Sequence, residues 1–239
     1  MSGHSKWATT HRQKALVDAK RGAIFTKFAN VISIAAKKGG DAENNPALRA
    51  AIDKARSANM PKDNIERAIK KGTGELGGEQ VEELYYEGII PPGVQVIVKC
   101  LTENKNRSGS TIRHLFTKNG GAFGAVMWNF RQLGVISIPQ EEIKDKHLSN
   151  EELELELIDK GIEDFSKEDE GIVVYTDMKD LQVVKEFLEG KGLKIENAEI
   201  EYVAKDKTSV PEDDQPKLDK FMEELEFNED VNDYYTNLL

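Results

Sequence analysis

The spacing of apolar residues is helical in the first part of the chain, and strands are predicted only beyond a glycine-rich segment that follows it. Over residues 24–35 the apolar side chains recur every three or four positions, which predicts a helix. Two more helices are predicted after the N-cap Asn45 and after Pro61. Residues 72–78 then contain four glycines, a density that disfavours both helix and strand. We therefore predict a helical N-terminal domain over residues 1–76.

Beyond this glycine-rich segment the sequence favours strands. Residues 81–90 and 94–102 are rich in β-branched and aromatic side chains and flank a Pro-Pro-Gly turn, which predicts a hairpin. A helix over residues 107–119 is followed by two glycines, a typical helix end. We predict a further strand over residues 123–130.

The next part of the chain has the element order β-α-β-β-α-β. The predicted elements are a strand at 135–138, a helix at 151–160, strands at 162–165 and 172–176, a helix at 181–189 and a strand at 193–204. In residues 151–160 leucines alternate with glutamates as in a strand, but Ser149 and Asn150 are suitable helix caps, so we predict a helix. The order is that of the split βαβ, or ferredoxin-like, motif.

The chain then ends in a helix that includes Leu218 and Leu225 and a short segment, residues 231–238, that could be an edge strand. These two elements have no core of their own and could complete the preceding strand-rich domain. The predicted fold is therefore α+β and multidomain. A helical domain (1–76) is followed by two ferredoxin-like α/β domains, a middle domain (77–131 plus 207–239) and an acidic domain (132–206) inserted into it.

Charge is distributed unevenly along the 239 residues, whose net charge is −10. Residues 1–72 hold 15 basic and 6 acidic residues, a net charge of +9, whereas residues 140–239 hold 12 and 31, a net charge of −19. Such asymmetry indicates a polyanion-binding end joined to an acidic body.

Few residues suggest covalent chemistry. The four histidines have no metal-ligand spacing, no phosphate-binding Walker loop occurs, and the acidic residues form no distinctive pair. The single cysteine, Cys100, excludes an internal disulfide and fits a reducing compartment. No apolar run is long enough to span a membrane, and the N-terminus lacks a secretory signal. We expect a soluble cytoplasmic protein with no catalytic residues, no metal and no cofactor.

The basic N-terminal arm is the strongest candidate for a binding site. Lysine and arginine that neutralise phosphates give salt-sensitive affinity for nucleic acid, and a tryptophan in the arm could either stack on a base or pack on the helical domain. A second, weaker basic cluster opens the helix at residues 107–119, where the helix N-terminus also attracts anions. The candidate nucleic-acid-binding residues are His4, Lys6, Trp7, His11, Arg12, Lys14, Lys20, Arg21 and Lys27 in the first cluster and Lys105, Arg107 and Arg113 in the second.

Several blocks of sequence resemble the YebC/PmpR-type proteins, whose eukaryotic relative is the mitochondrial translational activator of cytochrome oxidase. The matching blocks are Gly3-His4-Ser5-Lys6-Trp7, Asp18-Ala19-Lys20-Arg21-Gly22, Phe25-Thr26-Lys27, Asn45-Pro46-Ala47-Leu48-Arg49, Asn59-Met60-Pro61, Asn64-Ile65-Glu66-Arg67-Ala68-Ile69, Tyr86-Glu87-Gly88 and Asn104-Lys105-Asn106-Arg107. The resemblance implies a helical N-terminal domain and two α/β domains, the third inserted into the second.

The resemblance also implies two possible functions. Bacterial members are described as DNA-binding transcriptional regulators, and other members act on the ribosome and help translation through proline-rich stretches. We expect a non-enzymatic DNA-binding transcriptional regulator, with a ribosome-associated translation factor that binds ribosomal RNA as the alternative. The sequence leaves the choice between DNA and ribosomal RNA, the target sequence, the role of the acidic domain, and the choice between monomer and dimer open.

Overall fold

The computed structural model describes residues 21–145, 150–168 and 170–239 of the chain. These residues divide into two compact units. One unit contains residues 21–127 together with Thr208–Leu239, and the other contains Trp128–Lys207. Within the described ranges, no helix is both long and apolar enough to cross a membrane.

Three initial helices are followed by a mixed series of strands and helices. In chain order they are α1 (Arg21–Ala36), α2 (Pro46–Ser57), α3 (Lys62–Gly72), β1 (Glu82–Ile90), β2 (Val94–Thr102), α4 (Lys105–Lys118), β3 (Ala122–Phe123), a 3-10 turn (Met127–Asn129), β4 (Phe130–Pro139), α5 (Gln140–Asp145), α6 (Asn150–Asp159), β5 (Asp164–Glu168), β6 (Gly171–Thr176), α7 (Leu181–Gly190), β7 (Asn197–Ala204), α8 (Gln215–Glu226) and β8 (Val231–Thr236).

The first three helices form around an apolar core, as their periodicity predicts. The Asn45 side chain accepts a hydrogen bond of 3.1 Å from the backbone N–H of Leu48, which confirms Asn45 as the N-cap of α2. Each helix turns one apolar face inward. The buried side chains are Ile32 and Ala36 of α1, Leu48, Ala51, Ile52 and Ala55 of α2, Met60 before α3, and Ile65 and Ala68 of α3.

Helices α1 and α3 approach closely near their C-terminal ends. The Ser33 hydroxyl donates a hydrogen bond of 2.8 Å to the carbonyl of Ala68. A Cβ atom added at Gly72 would lie 2.3 Å from the Ser33 carbonyl oxygen and 2.7 Å from the Ala36 Cβ. Only glycine therefore fits at this last position of α3, and it brings the two helix ends together.

The first sheet has the strand order β3-β1-β2-β8, and all its pairs are antiparallel. Helices α4 and α8 share one core with this sheet, where Phe116 of α4 meets Phe221 of α8 edge to face. The strand β8 comes from the end of the chain and pairs with β2, so the sheet is completed only after the chain has passed through the second unit. The predicted hairpin, the last helix and the edge strand are confirmed.

The second sheet has the order β5-β6-β4-β7, also antiparallel. Its chain order, β4-α-β5-β6-α7-β7, is the predicted split βαβ motif. Leu153 and Leu157 of α6 and Val184 and Leu188 of α7 pack with the sheet in one core. Both four-stranded sheets thus carry helices over their cores in an α+β architecture. The split βαβ order is present in the second unit, whereas in the first sheet the chain runs β1-β2-α4-β3-α8-β8.

Several predicted strands are wrong in extent. The expected strand over residues 123–130 is reduced to the two residues of β3, because a carboxylate oxygen of Glu87 accepts hydrogen bonds of 2.7 Å from the backbone N–H groups of Val126 and Met127. These bonds bend the chain into the 3-10 turn, and β4 begins only afterwards, at Phe130.

Two other differences lie in the second unit. The strand β7 begins at Asn197 rather than residue 193, because the N–H of Leu193 instead bonds to the carbonyl of Leu188 and closes the end of α7. The strand β5 begins at Asp164, two residues later than expected, and the short helix α5 was not predicted. The domain limits 1–76, 77–131 plus 207–239 and 132–206 stay a proposal.

We predict that Gly72→Ala loosens the helical part, because the added methyl group would overlap backbone and side-chain atoms of α1. Overpacking of this kind costs about 1–3 kcal/mol. Native-state hydrogen exchange should show a fall of this size in the opening free energy of the α1 and α3 amides. The matched control is Gly190→Ala, also at the end of a helix, where no heavy atom lies within 4 Å of the new Cβ. Equal protection of α1 and α3 in Gly72→Ala and the parent would contradict the packing argument.

Candidate nucleic-acid interface

Most of the predicted basic arm lies outside the described residues. This applies to His4, Lys6, Trp7, His11, Arg12, Lys14 and Lys20, and to the side chain of Arg21. Their contact with nucleic acid stays a prediction. The described part of the candidate site therefore begins in α1.

Lys27 in α1 is directed into the protein. Its ammonium donates a hydrogen bond of 2.6 Å to the backbone carbonyl of Glu226, the last residue of α8. Burial lowers the pKa of Lys27, and the nearby carboxylates of Glu226 and Asp233 oppose that shift. A helix C-terminus carries partial negative charge, so this position suits an ammonium. The predicted contact of Lys27 with nucleic acid is untested, and its geometry favours a supporting role.

Further polar contacts fasten the helical part to the first sheet. The buried Asn30 side-chain amide donates to the carbonyl of Leu101 in β2 at 2.8 Å. Lys71 of α3 forms an ion pair with Glu103, and the Gln80 amide donates to the Lys71 carbonyl at 3.0 Å. Because these bonds come from both α1 and α3, they fix how the helical surface is presented.

Four exposed cations lie toward the adjoining C-terminal ends of α1 and α3, and we call them the basic helix end: Lys37, Lys38, Arg67 and Lys70. A Cβ atom added at Gly40 would lie 2.7 Å from the Thr73 side chain, which shows how closely the segments after the two helices pass. Among the described residues, none of the four forms an ion pair. Their charges are therefore available to an anion from solution.

The basic helix end is not among the binding residues predicted from the sequence. Its signal is present in residues 21–72, which hold 11 basic and 5 acidic residues, and in the paired lysines at two predicted helix ends. Periodicity alone could not show that α1 and α3 end beside each other. That proximity depends on the close contact at Gly72.

Other cations of the helical part are already engaged. Arg49 donates to the carbonyls of Ala42 at 3.0 Å and Glu43 at 2.6 Å, which holds the loop before α2. Arg56 lies 3.6 Å from Asp53, and Lys62 lies 3.4 Å from Glu66. These pairs are exposed, so they weaken the local positive potential without removing the charges.

The second predicted cluster lies on α4, whose N-cap is Asn104. Arg107 is 3.0 Å from the buried Asp230 carboxylate, and hydrogen bonding to that carboxylate raises the pKa of Arg107. Arg113 places its guanidinium 4.6 Å from the centre of the Phe123 ring. Within the described residues Lys105 has no ion-pair partner. The three side chains are thus held in different ways, and the structure does not unite them in one site.

A buried thiol lies beneath this cluster. Cys100 of β2 is fully buried, and burial raises the pKa of its thiol to about 12. The thiol therefore stays protonated at neutral pH and packs as an apolar group in the core of the first sheet. The Tyr86 hydroxyl donates to the Lys105 carbonyl at 3.2 Å, which attaches β1 to the first turn of α4.

The sequence matches two family models that together cover nearly the whole chain. Residues 5–75 match the N-terminal domain of the TACO1/YebC proteins, and residues 81–238 match the second and third domains of the same proteins. The boundary between the two matches falls in the glycine-rich segment after α3.

Curated relatives match over nearly their full length. A protein of Thermoanaerobacter pseudethanolicus named "probable transcriptional regulatory protein" is 46% identical over 100% of this chain and 97% of its own length. A protein of Treponema denticola with the same description is 47% identical over 100% of this chain and 96% of its own length.

A solved structure has the same fold. The crystal structure of a conserved hypothetical protein from Aquifex aeolicus matches with a TM-score of 0.79 and 43% identity, covering 94% of this chain and 93% of that one. Family models over both parts of the chain, relatives at 46–47% identity and this structure agree. The chain belongs to the TACO1/YebC family of regulatory proteins.

Proposed function

We propose that this protein is a non-enzymatic regulator of transcription that binds duplex DNA through its basic N-terminal arm and the basic helix end. The observation that carries the proposal is the set of four exposed cations without ion-pair partners among the described residues: Lys37, Lys38, Arg67 and Lys70. Each can neutralise a phosphate and release a counterion, which favours binding.

The charge distribution along the chain supports binding of the duplex at the helical end. Residues 21–72 carry a net charge of +6, from 11 basic and 5 acidic residues, and residues 140–239 carry −19. A duplex is attracted to the first region and repelled by the second, so approach through the helical end is favoured. The affinity from such contacts is independent of sequence and falls as salt is added.

The names of the relatives support regulation of transcription rather than catalysis. A cytoplasmic location is part of the proposal and fits a chain whose single cysteine is a buried free thiol. The second function considered from the sequence, binding to ribosomal RNA, would use the same cations. Binding assays that include RNA and ribosomes therefore distinguish the two functions.

We predict that the combined change of Lys37, Lys38, Arg67 and Lys70 to glutamine weakens binding to a 20-base-pair duplex. The slope of log Kobs against log salt should become shallower by roughly 0.9 for each phosphate that is no longer neutralised. Fluorescence anisotropy over a series of KCl concentrations measures both quantities. The control changes four exposed lysines elsewhere, Lys179, Lys194, Lys217 and Lys220, to glutamine. The same shift in slope in both variants would contradict a site at the helix end.

We predict that Lys6, Arg12, Lys20 and Arg21 changed together to alanine also weaken the complex and flatten its salt slope, because the arm adds phosphate contacts. The binding assay is repeated with duplex DNA, single-stranded RNA and ribosomes. An unchanged affinity would remove the arm from the proposed interface. Preferential retention of the parent protein on ribosomes would contradict regulation through DNA.

We predict that Lys27→Met leaves the salt slope unchanged, because the Lys27 ammonium is bonded to the Glu226 carbonyl and is not available to a phosphate. Lys38→Met is the matched control and should reduce the magnitude of the slope by about 0.9. The same salt titration measures both variants. A reduction in Lys27→Met equal to that in Lys38→Met would assign Lys27 to direct contact with the phosphates.

A further inference from the structure

We propose that the second unit, Trp128–Lys207, contains a separate site for an unpaired nucleotide on the sheet face opposite helices α6 and α7. A cavity of about 440 Å³ lies on this face, within the usual size range of small-molecule sites. It is lined by Arg131, Leu133, Asp164, Tyr175, Val203, Ala204, Lys205 and Lys207. This site does not depend on the duplex-binding function proposed above.

The alternation of side chains along the strands places the lining residues on one face. Ile136 and Val174 belong to the core beneath the helices, whereas Leu133 and Val173 belong to a small second cluster that includes Tyr175 and Val203. Successive side chains of a strand point to opposite faces. The cavity therefore has an apolar floor formed by a second, smaller core on the other side of the sheet.

Three cations approach the cavity from two neighbouring strands. Arg131 of β4 lies opposite Val203 of β7, and Lys205 and Lys207 follow β7 at the spacing of two residues that repeats one face. The Lys205 ammonium donates to the Trp128 carbonyl at 2.7 Å. Lys207 is exposed and has no ion-pair partner among the described residues. Lys205 is thus held in place, whereas Lys207 remains available.

Acidic groups offset part of this charge. Asp164 lines the cavity, and Glu163 pairs with Arg131. The lining residues still carry three positive charges against one negative charge, in a unit whose 11 basic and 21 acidic residues give a net charge of −10. A long polyanion would be repelled by the unit as a whole, whereas a single phosphate can reach the local excess of positive charge. This contrast favours a small ligand or one residue of a strand.

Tyr175 provides the group that selects a planar ligand. It lies on the central strand β6, and among the described residues its hydroxyl has no hydrogen-bond partner. Burial raises the pKa of Tyr175 to about 12, so the phenol is neutral and can donate a hydrogen bond. An aromatic side chain on a central strand of a split βαβ sheet is the arrangement on which RNA-recognition modules stack unpaired bases.

The combination of groups favours a nucleotide over a simple anion. Inorganic phosphate would use the cations but not the apolar floor or the aromatic ring. A base packed on Tyr175 between Leu133 and Val203 would use both, with its phosphate toward Lys207 and Lys205. Bases in duplex DNA are stacked and paired, so the ligand is a free nucleotide or an unpaired nucleotide of a strand.

The test measures binding of the full-length chain to labelled U8 and dT8 octamers, with UMP and TMP as free-nucleotide competitors. It uses the arm variant (Lys6, Arg12, Lys20 and Arg21 to alanine), so that arm binding does not hide the second site. Tyr175→Leu and Lys207→Gln should each weaken octamer binding, the former by about tenfold. Tyr175→Phe keeps the ring and should bind nearly as the parent. Lys194→Gln, on an exposed lysine that does not line the cavity, is the matched charge control.

The location is checked by photo-crosslinking a 4-thiouridine octamer and identifying the modified peptide. Crosslinks near Tyr175 or residues 203–207 support the site, and competition by UMP would identify the free nucleotide as a ligand. Unchanged octamer binding in Lys207→Gln, with crosslinks elsewhere, would overturn the proposal even if Tyr175→Leu fails to fold. The variant with Lys37, Lys38, Arg67 and Lys70 changed to glutamine separates the two proposals. Both are supported if this variant loses duplex binding and retains octamer binding. Only the duplex proposal is overturned if its duplex binding is unchanged and the octamer still crosslinks at Tyr175.

Discussion

The contact between α1 and the end of α8 determines how the basic part of the molecule is presented. The Lys27 ammonium donates to the Glu226 carbonyl at the C-terminus of α8, and the Glu226 carboxylate accepts a hydrogen bond of 2.6 Å from the Tyr234 hydroxyl. Withdrawing an ammonium from water is costly unless it gains a partner, and the negative end of a helix supplies an acceptor to the part-buried Lys27. The contact thus uses Lys27 to fix α1, whose C-terminal end leads into the exposed Lys37 and Lys38.

The cations of the helical part have two different roles, because some join it to the rest of its unit and others stay exposed. Lys27 and Lys71 join the helical part to the first sheet, through the Glu226 carbonyl and the Glu103 carboxylate, whereas Lys37, Lys38 and Lys70 remain exposed. A count of charges in the sequence cannot distinguish these roles. The distinction matters for binding, because only an exposed cation exchanges its counterions for phosphates. The second unit carries a net negative charge, and there a few cations line one cavity.

Much of the fold could be predicted because its signals are local. Asn45 and the glycine-rich segment mark helix ends, and β-branched and aromatic residues on both sides of a Pro-Pro-Gly turn mark the β1–β2 hairpin. The strand expected at 123–130 was wrong because its alternative depends on Glu87, nearly forty residues earlier in the chain. The position of Lys27 could not be predicted for the same reason, since its partner lies 199 residues away. Long-range bonds of this kind have no signature in local periodicity.

In the proposed function, exposed cations at the helical end of the chain bind the phosphates of DNA. The most direct measurement is the affinity of the unmodified protein for a 20-base-pair duplex as a function of KCl concentration. If at least five phosphates are neutralised, log Kobs should fall linearly with log salt with a slope of about −4.5 or steeper. A slope near zero, or the absence of duplex binding at low salt, would contradict phosphate binding by these cations.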